Sequence, residues 1–193
     1  MAFINFHPSD NCKVKLYTGN STADHAITGI GFKPDLVWLK RRNSATDNSL
    51  YDAVRGVTKS LRSESADGEA TSTGLTSFDS DGFTVGSAGT QNGGDMLSFN
   101  WKAGNSAGSA NTNGSINSTV SVNTAAGFSI VKYVGTGSNA TIGHGLPSAP
   151  AFINCKRTSS SASWISYHRL TNTDGSQAQY YTQLDGNGAR SSS

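Results

Sequence analysis

Short apolar runs separated by turn-forming residues are the feature that most limits how this chain can fold. The segment SFDSDGFTVG places a tight Asp/Gly turn between Phe78 and Phe83, which is typical of a β-hairpin. In residues 96–102, every second residue from Leu97 to Trp101 is large and apolar, as in a β-strand. With 22 glycines and only 15% charged residues, the composition does not suit a helical bundle. The pattern predicts an all-β fold, and three Trp, eight Phe and six Tyr supply material for its core.

Charge and hydropathy exclude two classes of partner. The net charge is +2, with 15 basic and 13 acidic residues, so we expect no nucleic-acid partner. No apolar run approaches the roughly 20 residues that span a bilayer, and we expect no membrane insertion. The first residues, MAFINFHPSD, lack the basic start and the apolar segment of a secretory signal. Assembly in a cytoplasm is therefore expected.

Cys12 and Cys155 are the only two cysteines. They lie far apart in the sequence and show no metal-binding spacing such as C-x-x-C. Cys155 lies in an apolar, strand-like run, where a thiol acts as a small hydrophobic group. We expect both thiols to be reduced, which agrees with cytoplasmic assembly.

The chain aligns with itself without gaps at an offset of 116 residues. Apolar residues fall on apolar residues along this alignment, for example Val37 on Ile153. The identical pairs are Tyr17/Tyr133, Gly19/Gly135, Gly29/Gly145, Pro34/Pro150, Lys40/Lys156, Arg41/Arg157, Ser44/Ser160 and Tyr51/Tyr167. Matches of Tyr, Pro and Lys-Arg in one register are not expected by chance in a chain rich in Gly and Ser. The alignment therefore predicts a true internal repeat.

The repeat divides the chain into three parts. Residues 1–102 form the first β-sandwich module, which we call the first copy. Residues 103–124 contain no aromatic and no charged residue, and they are predicted to be a Gly/Ser/Asn-rich linker or a long loop. Residues 125–193 form a second, truncated β-module, the second copy, which stops before a counterpart of Phe78. We expect either that the natural chain continues past Ser193 or that a neighbouring subunit covers the gap.

Three short motifs resemble functional signatures, and each has a simpler explanation. Residues 104–108 match G-x-S-x-G, but the sequence that follows does not start a helix, as a nucleophile elbow requires. Residues 135–140 match a loose dinucleotide fingerprint without a following helix, so a turn is expected. Asp79 and Asp81 lack the spacing of a calcium loop and fit the hairpin turn instead. We therefore predict no catalytic residue, no cofactor and no metal site, and no enzymatic activity.

The isolated histidines, carboxylates and tryptophans form no recognisable site either. The histidines His7, His25, His144 and His168 show no ligand spacing. The carboxylates form no distinctive pair of the kind that a glycosidase needs. Three tryptophans are candidates for stacking on sugars, but Trp38 and Trp101 lie on apolar strand faces, where we expect packing in the core; the third is Trp164. The sequence does not specify which surface residues would contact a glycan or a partner.

The order of motifs resembles a known family. The succession YTG, GFKPDLVWLKRR, LYDAVRG, SFDSDGFTVG and FNWKAG, followed by FSIVKYVGTGSNATIGHGL, resembles a β-rich domain that occurs in tandem in virion proteins of tailed bacteriophages. Such domains are common in tail-fibre and other appendage proteins of marine and cyanobacterial phages. The resemblance covers nearly the whole chain outside the linker. It implies concanavalin A-like, or jelly-roll, β-sandwich modules in tandem.

The resemblance also implies a function. It indicates a structural virion protein, a tail-fibre or spike component that displays β-sandwich modules for host attachment. A capsid decoration or head-fibre protein is the alternative, and a carbohydrate-active enzyme is a third possibility. The expected partners are further copies of the chain in a homotrimer, other tail or capsid proteins of the virion, and a host surface glycan. The family offers no catalytic residues to carry over.

Overall fold

The computed structural model describes residues 7–171, 180–188 and 191–192. Helical segments in this part of the chain are single turns, Pro8–Asp10, Gly89–Asn92 and Arg169–Thr171, and none of them is long enough to cross a membrane. The strands of the first half are β1 Cys12–Asn20, β2 His25–Ile27, β3 Leu36–Arg41, β4 Ser49–Asp52, β5 Lys59–Ser60, β6 Ala70–Thr71, β7 Ser77–Asp79, β8 Gly82–Val85 and β9 Gly93–Trp101. Those of the second half are β10 Ser109–Asn111, β11 Ser118–Asn123, β12 Phe128–Tyr133, β13 Phe152–Cys155, β14 Ile165–His168, β15 Tyr180–Gln183 and β16 Ser191–Ser192.

The first copy is built from two main sheets, and the predicted all-β fold is confirmed. One sheet has the order β1-β9-β3-β4, with β9 antiparallel to both neighbours. The other has the order β2-β8-β7, and its β7–β8 hairpin pairs Phe78 with Phe83 as the sequence predicts. A small β5-β6 sheet continues from β4 through a bridge between Leu50 and Leu61. The two main sheets bury their apolar faces against each other, as in a β-sandwich.

The hydrophobic core lies between these two sheets. Side chains of β3 and β4 meet side chains of β2 and β8 there, and Tyr17 of β1 packs against them at the edge. The buried members of this cluster are Ile27, Ile30, Phe32, Val37, Leu39, Tyr51, Leu75, Phe83 and Val85. Tyr51 and Phe83 are fully buried, so large rings from both sheets fill the centre.

The central strand β9 buries its more polar side. Met96, Ser98 and Asn100 are fully buried and face the interior. The Asn100 side-chain amide donates to the Lys13 carbonyl at 3.0 Å and to Ser98 Oγ at 2.9 Å, which satisfies both of its hydrogens. Because side chains alternate along a strand, the large residues Leu97 and Trp101 must lie on the opposite, outer face of the sheet.

The expectation that residues 103–124 form a linker or loop is wrong. This segment contains β10 and β11, and β11 pairs with β12 along its whole length. Its short polar side chains make hydrogen bonds inside the fold: Ser118 Oγ donates to the Gly143 carbonyl at 3.0 Å, and Ser121 Oγ accepts from the Gly104 N–H at 2.9 Å. The run STVSVN contains three β-branched residues, which favour a strand. Its low charge and its serines are therefore compatible with a strand whose hydroxyl groups are hydrogen-bonded.

The internal repeat is visible in strand positions and in pairing register. The strands β13 and β14 begin 116 residues after β3 and β4. Within the first hairpin Leu36 pairs with Asp52, and within the second Phe152 pairs with His168, which are the residues at the same offset. In the same way β12 begins 116 residues after β1. Three strands of the first copy therefore recur in the second, and the β3–β4 hairpin recurs in the same register.

Candidate functional site

The outer face of the β1-β9-β3-β4 sheet carries a continuous row of aromatic side chains. Phe99 and Trp101 lie on this face because they alternate with the buried residues of β9, and the register places Trp38 of β3 directly opposite Phe99. Phe128, at the start of β12, extends the row from the second copy. We call Trp38, Phe99, Trp101 and Phe128 the aromatic face.

Neighbouring rings of the aromatic face are in contact. The ring centroids of Trp38 and Phe99 are 6.1 Å apart, and those of Phe99 and Trp101 are also 6.1 Å apart. Trp101 and Phe128 are separated by 6.4 Å, with an angle of 24° between their planes. Such offset and tilted pairs stabilise one another beyond their buried area. The four rings thus form a preorganised, partly exposed surface.

Aliphatic side chains extend this surface to the edge of the sheet. Val14 and Leu16 of β1 are 50% and 56% exposed, and they pair with Phe99 and Leu97 of β9. Beside Trp101 and Phe128 there is a cleft of about 250 Å³, whose other lining residues are Pro8, Asn11, Cys12, Ala126 and Gly127. A contiguous apolar patch on a soluble protein marks a binding surface more often than isolated exposed residues do.

The three tryptophans differ in their environments, and the expectation that Trp38 and Trp101 pack in the main core is wrong. Both lie on the outer face of the sheet, because the interior takes Ser98 and Asn100 instead. Trp164 is only 6% exposed, and it packs with Leu50, Leu61 and one side of Trp38. Its indole N–H donates to the Arg62 carbonyl at 2.7 Å. Trp164 therefore joins the two copies, whereas Trp38 and Trp101 are partly exposed on the outer face.

Asp35 fixes the end of β9 that carries Trp101. Its backbone N–H donates to the Trp101 carbonyl at 2.8 Å, and its carboxylate accepts the N–H groups of Ala103 and Asn105 at 2.7 and 3.0 Å. Burial raises the pKa of Asp35, an effect that these two N–H donors oppose. The carboxylate thus orients the backbone just after the aromatic face.

The motifs that resemble enzyme signatures serve local structure. Ser106, in the G-x-S-x-G segment, accepts the Gly108 N–H at 3.2 Å within a loop between β9 and β10. Asp81 accepts the N–H groups of Gly29 and Gly31 at 2.9 and 2.5 Å, and these contacts lower its pKa. Asp79 accepts the hydroxyl hydrogens of Ser77 and Thr84. Both aspartates therefore support the β7–β8 hairpin region.

Histidines and thiols are also dispersed. His25 contacts the Asn92 side chain, and the Nδ1 atoms of His144 and His168 each accept an N–H two residues further along the chain. The described residues contain no group of three or more His, Cys, Asp or Glu side chains placed to hold a metal ion. Both cysteines are free thiols: Cys12 is exposed, and Cys155 lies on β13.

Comparison with known proteins places the chain in a family. A family model described as a domain of unknown function, DUF7483, matches residues 7–193. The chain belongs to the DUF7483 family. No curated protein and no solved structure matches this DUF7483 chain significantly. The aromatic face therefore defines the candidate site on this DUF7483 chain by its own geometry.

Two residues of the aromatic face were not candidates from the sequence. The alternation of β9 puts Phe99 on the same face as Trp101, and the sequence predicts that this face is buried. Phe128 belongs to the second copy, and only the fold brings it to Trp101. For Phe99, a usable signal is the alternation of small polar Ser98 and Asn100 with large apolar residues, because small side chains that hydrogen-bond to each other can occupy an interior.

Proposed function

We propose that this DUF7483 chain is a non-enzymatic structural protein of a tailed-phage virion, a tail-fibre or spike component that uses the aromatic face for host attachment. The observation that carries the proposal is the row of four contacting, partly exposed rings on the outer face of one sheet. Aromatic faces pack well against the apolar faces of sugar rings, so a host surface glycan is the proposed ligand. The motif succession that resembles phage appendage domains supports the virion setting.

The arrangement of the rings favours an extended ligand. Four rings in sequence, with centroids 6.1 to 6.4 Å apart, present a track rather than a closed pocket. Such a track suits a chain of several sugar units, as in a surface polysaccharide, more than a single small molecule, which binds in an enclosed cavity. Val14 and Leu16 provide further apolar contact along one side of the track.

Binding of host polysaccharide by the purified full chain tests this proposal. We expect Trp101→Ala to weaken binding at least tenfold, because it removes the ring that contacts both Phe99 and Phe128. Val134→Ala is the matched control, since Val134 is 83% exposed and lies outside the aromatic face. Equal binding by the two variants, with unchanged circular dichroism, would remove the aromatic face from the proposal.

The setting in a virion needs a separate measurement. Labelling of intact virions with an antibody against the chain should mark the tail appendages, in a few copies per virion. The proposal also expects the chain to associate as a homotrimer and to contact other virion proteins. Dense labelling of the head would indicate a capsid decoration or head-fibre protein instead. Release of reducing ends from the polysaccharide by the chain would contradict the non-enzymatic function.

A further inference from the structure

The cleft beside Trp101 and Phe128 lies where the two copies meet. Asn11 and Cys12 of the first copy line one side of it, and the turn between β11 and β12, which includes Ala126, lines the other side. The cleft adjoins the end of the aromatic face, because Trp101 and Phe128 belong to both. We call this space the junction cleft.

One side chain holds the two sides of the junction cleft together. Asn123 Nδ2, at the end of β11, donates to Asn11 Oδ1 at 2.7 Å, and Asn123 Oδ1 accepts the Ala126 N–H at 3.0 Å. The turn is thus fixed against the first copy, and a preorganised wall lowers the entropic cost of binding. Because Asn123 takes the carboxamide oxygen of Asn11, the Asn11 Nδ2 group is the part of that side chain left to donate to a ligand.

Size and charge limit what the junction cleft can bind. Its volume is about 250 Å³, whereas pockets for drug-sized ligands hold about 300–1,000 Å³. A group the size of a single sugar unit therefore suits it better than a larger molecule. The described residues that line the cleft carry no charged side chain, and partial burial raises the pKa of the Cys12 thiol, which keeps it neutral at pH 7. A charged ligand would find no ionic partner in this lining, so an uncharged group is favoured.

We propose that the junction cleft binds one uncharged sugar unit of the glycan that lies along the aromatic face. This inference rests on the proposed function, and it names the class of ligand for that site. Trp101 is the wall that the aromatic face and the cleft share, so a sugar chain that stacks on Phe99 continues from there into the cleft. Asn11 donates to a hydroxyl group of the bound sugar unit, and Phe128 packs against its apolar side.

Filling the cleft without removing a ring tests the proposal. Ala126 is partly buried and lines the cleft, whereas Ala125 precedes it on the same turn, is exposed and lies outside the lining. With the purified full chain and purified host surface polysaccharide, we expect Ala126→Leu to weaken binding roughly tenfold, because the larger side chain takes the space of the sugar unit. The matched control Ala125→Leu should bind like the native chain.

Alkylation of the native chain gives a second measurement that does not depend on how a variant folds. Cys12 is an exposed free thiol in the cleft, and the other free thiol, Cys155, lies on β13 outside the lining. Because thiol reactivity depends on access, saturating polysaccharide should slow the alkylation of Cys12 by iodoacetamide roughly tenfold. The rate at Cys155 should not change. Mass spectrometry of the digested protein measures both rates.

The outcomes separate this proposal from the function on which it rests. If Trp101→Ala weakens binding while Ala126→Leu and Ala125→Leu bind equally, the aromatic face binds the glycan and the junction cleft does not. An unchanged rate of Cys12 alkylation in the presence of bound polysaccharide overturns the proposal in the same way. Equal binding of the polysaccharide before and after oxidation of its primary hydroxyl groups to carboxylates would contradict an uncharged sugar unit. If the native chain does not bind the polysaccharide at all, both proposals fail.

Discussion

The hairpins β3–β4 and β13–β14 have the same register but different environments. Each residue pair of the second hairpin lies 116 positions after the corresponding pair of the first hairpin, so the strands pair in the same way. Yet Tyr51 of the first hairpin is fully buried, and its counterpart Tyr167 is partly exposed. The difference comes from the β2-β8-β7 sheet, whose Phe83 and Val85 cover the first hairpin. Strand pairing is thus a local property of each copy, whereas burial depends on strands from elsewhere.

The largest effect should come from the matched tyrosine pair. Tyr51→Ala removes a fully buried ring and leaves a cavity, so it should lower the free energy of unfolding by about 3–5 kcal/mol. Tyr167→Ala removes a ring that water already reaches, and its cost should be about 1 kcal/mol. Urea denaturation followed by tryptophan fluorescence measures both. Similar losses for the two variants would mean that the second copy has a core as complete as the first.

A smaller loss is expected for Asn92, a polar hub of the first copy. Its fully buried side chain accepts the Asn20 N–H and contacts His25, and it donates to the carbonyls of Thr22 and Gly86. Asn92→Ala leaves several of these groups without a partner, which should cost about 1–3 kcal/mol. Hydrogen exchange should locate the loss in β1, β2 and β8. A loss centred on β13 and β14 would contradict the assignment of this hub to the first copy.

Much of the first copy follows from its sequence, for physical reasons that can be named. The β7–β8 hairpin was predicted because a tight Asp/Gly turn separates alternating apolar residues, and both signals are local. The alternation of β9 was also predicted, but the buried face was not. Alternation gives two faces. Here the interior takes Ser98 and Asn100, whose side chains share a hydrogen bond, and Trp101 lies on the outer face. Which face is buried depends on the opposing sheet, which local sequence does not encode.

The exposure of the aromatic face could not be predicted from local sequence either. Trp38 and Trp101 were recognised as residues able to stack on sugars, but their exposure depends on the sheet as a whole. Phe128 is 27 residues from Trp101, and β12 reaches it only through pairing with β11, in a segment whose composition indicated a linker. Low charge and many serines are compatible with a flexible segment and with a paired strand. The two can be distinguished only when the hydrogen-bond partners of the serines are known.

The smallest predicted effect concerns acid stability of the first copy. The N–H groups of Gly31 and Gly29 lower the pKa of Asp81 in the folded state. The stabilisation is therefore fully present above the unfolded value of about 3.9, and it is lost as the pH falls through the lower folded value. Unfolding followed from pH 5 downward should show this loss for the native chain and a weaker dependence for Asp81→Asn. An identical acid profile for both chains would show that the Asp81 contacts do not contribute.

Native-state amide hydrogen exchange across β3 and β13 tests the comparison of the two copies most directly. The strand β3 lies between β4 and β9, so its amides should be protected on both sides. Among the described residues, the strand β13 pairs with β14 alone. We therefore predict that alternate amides of Phe152–Cys155 exchange rapidly, while those directed at β14 stay protected. Uniform protection along β13, equal to that of β3, would contradict this difference in pairing between the two copies.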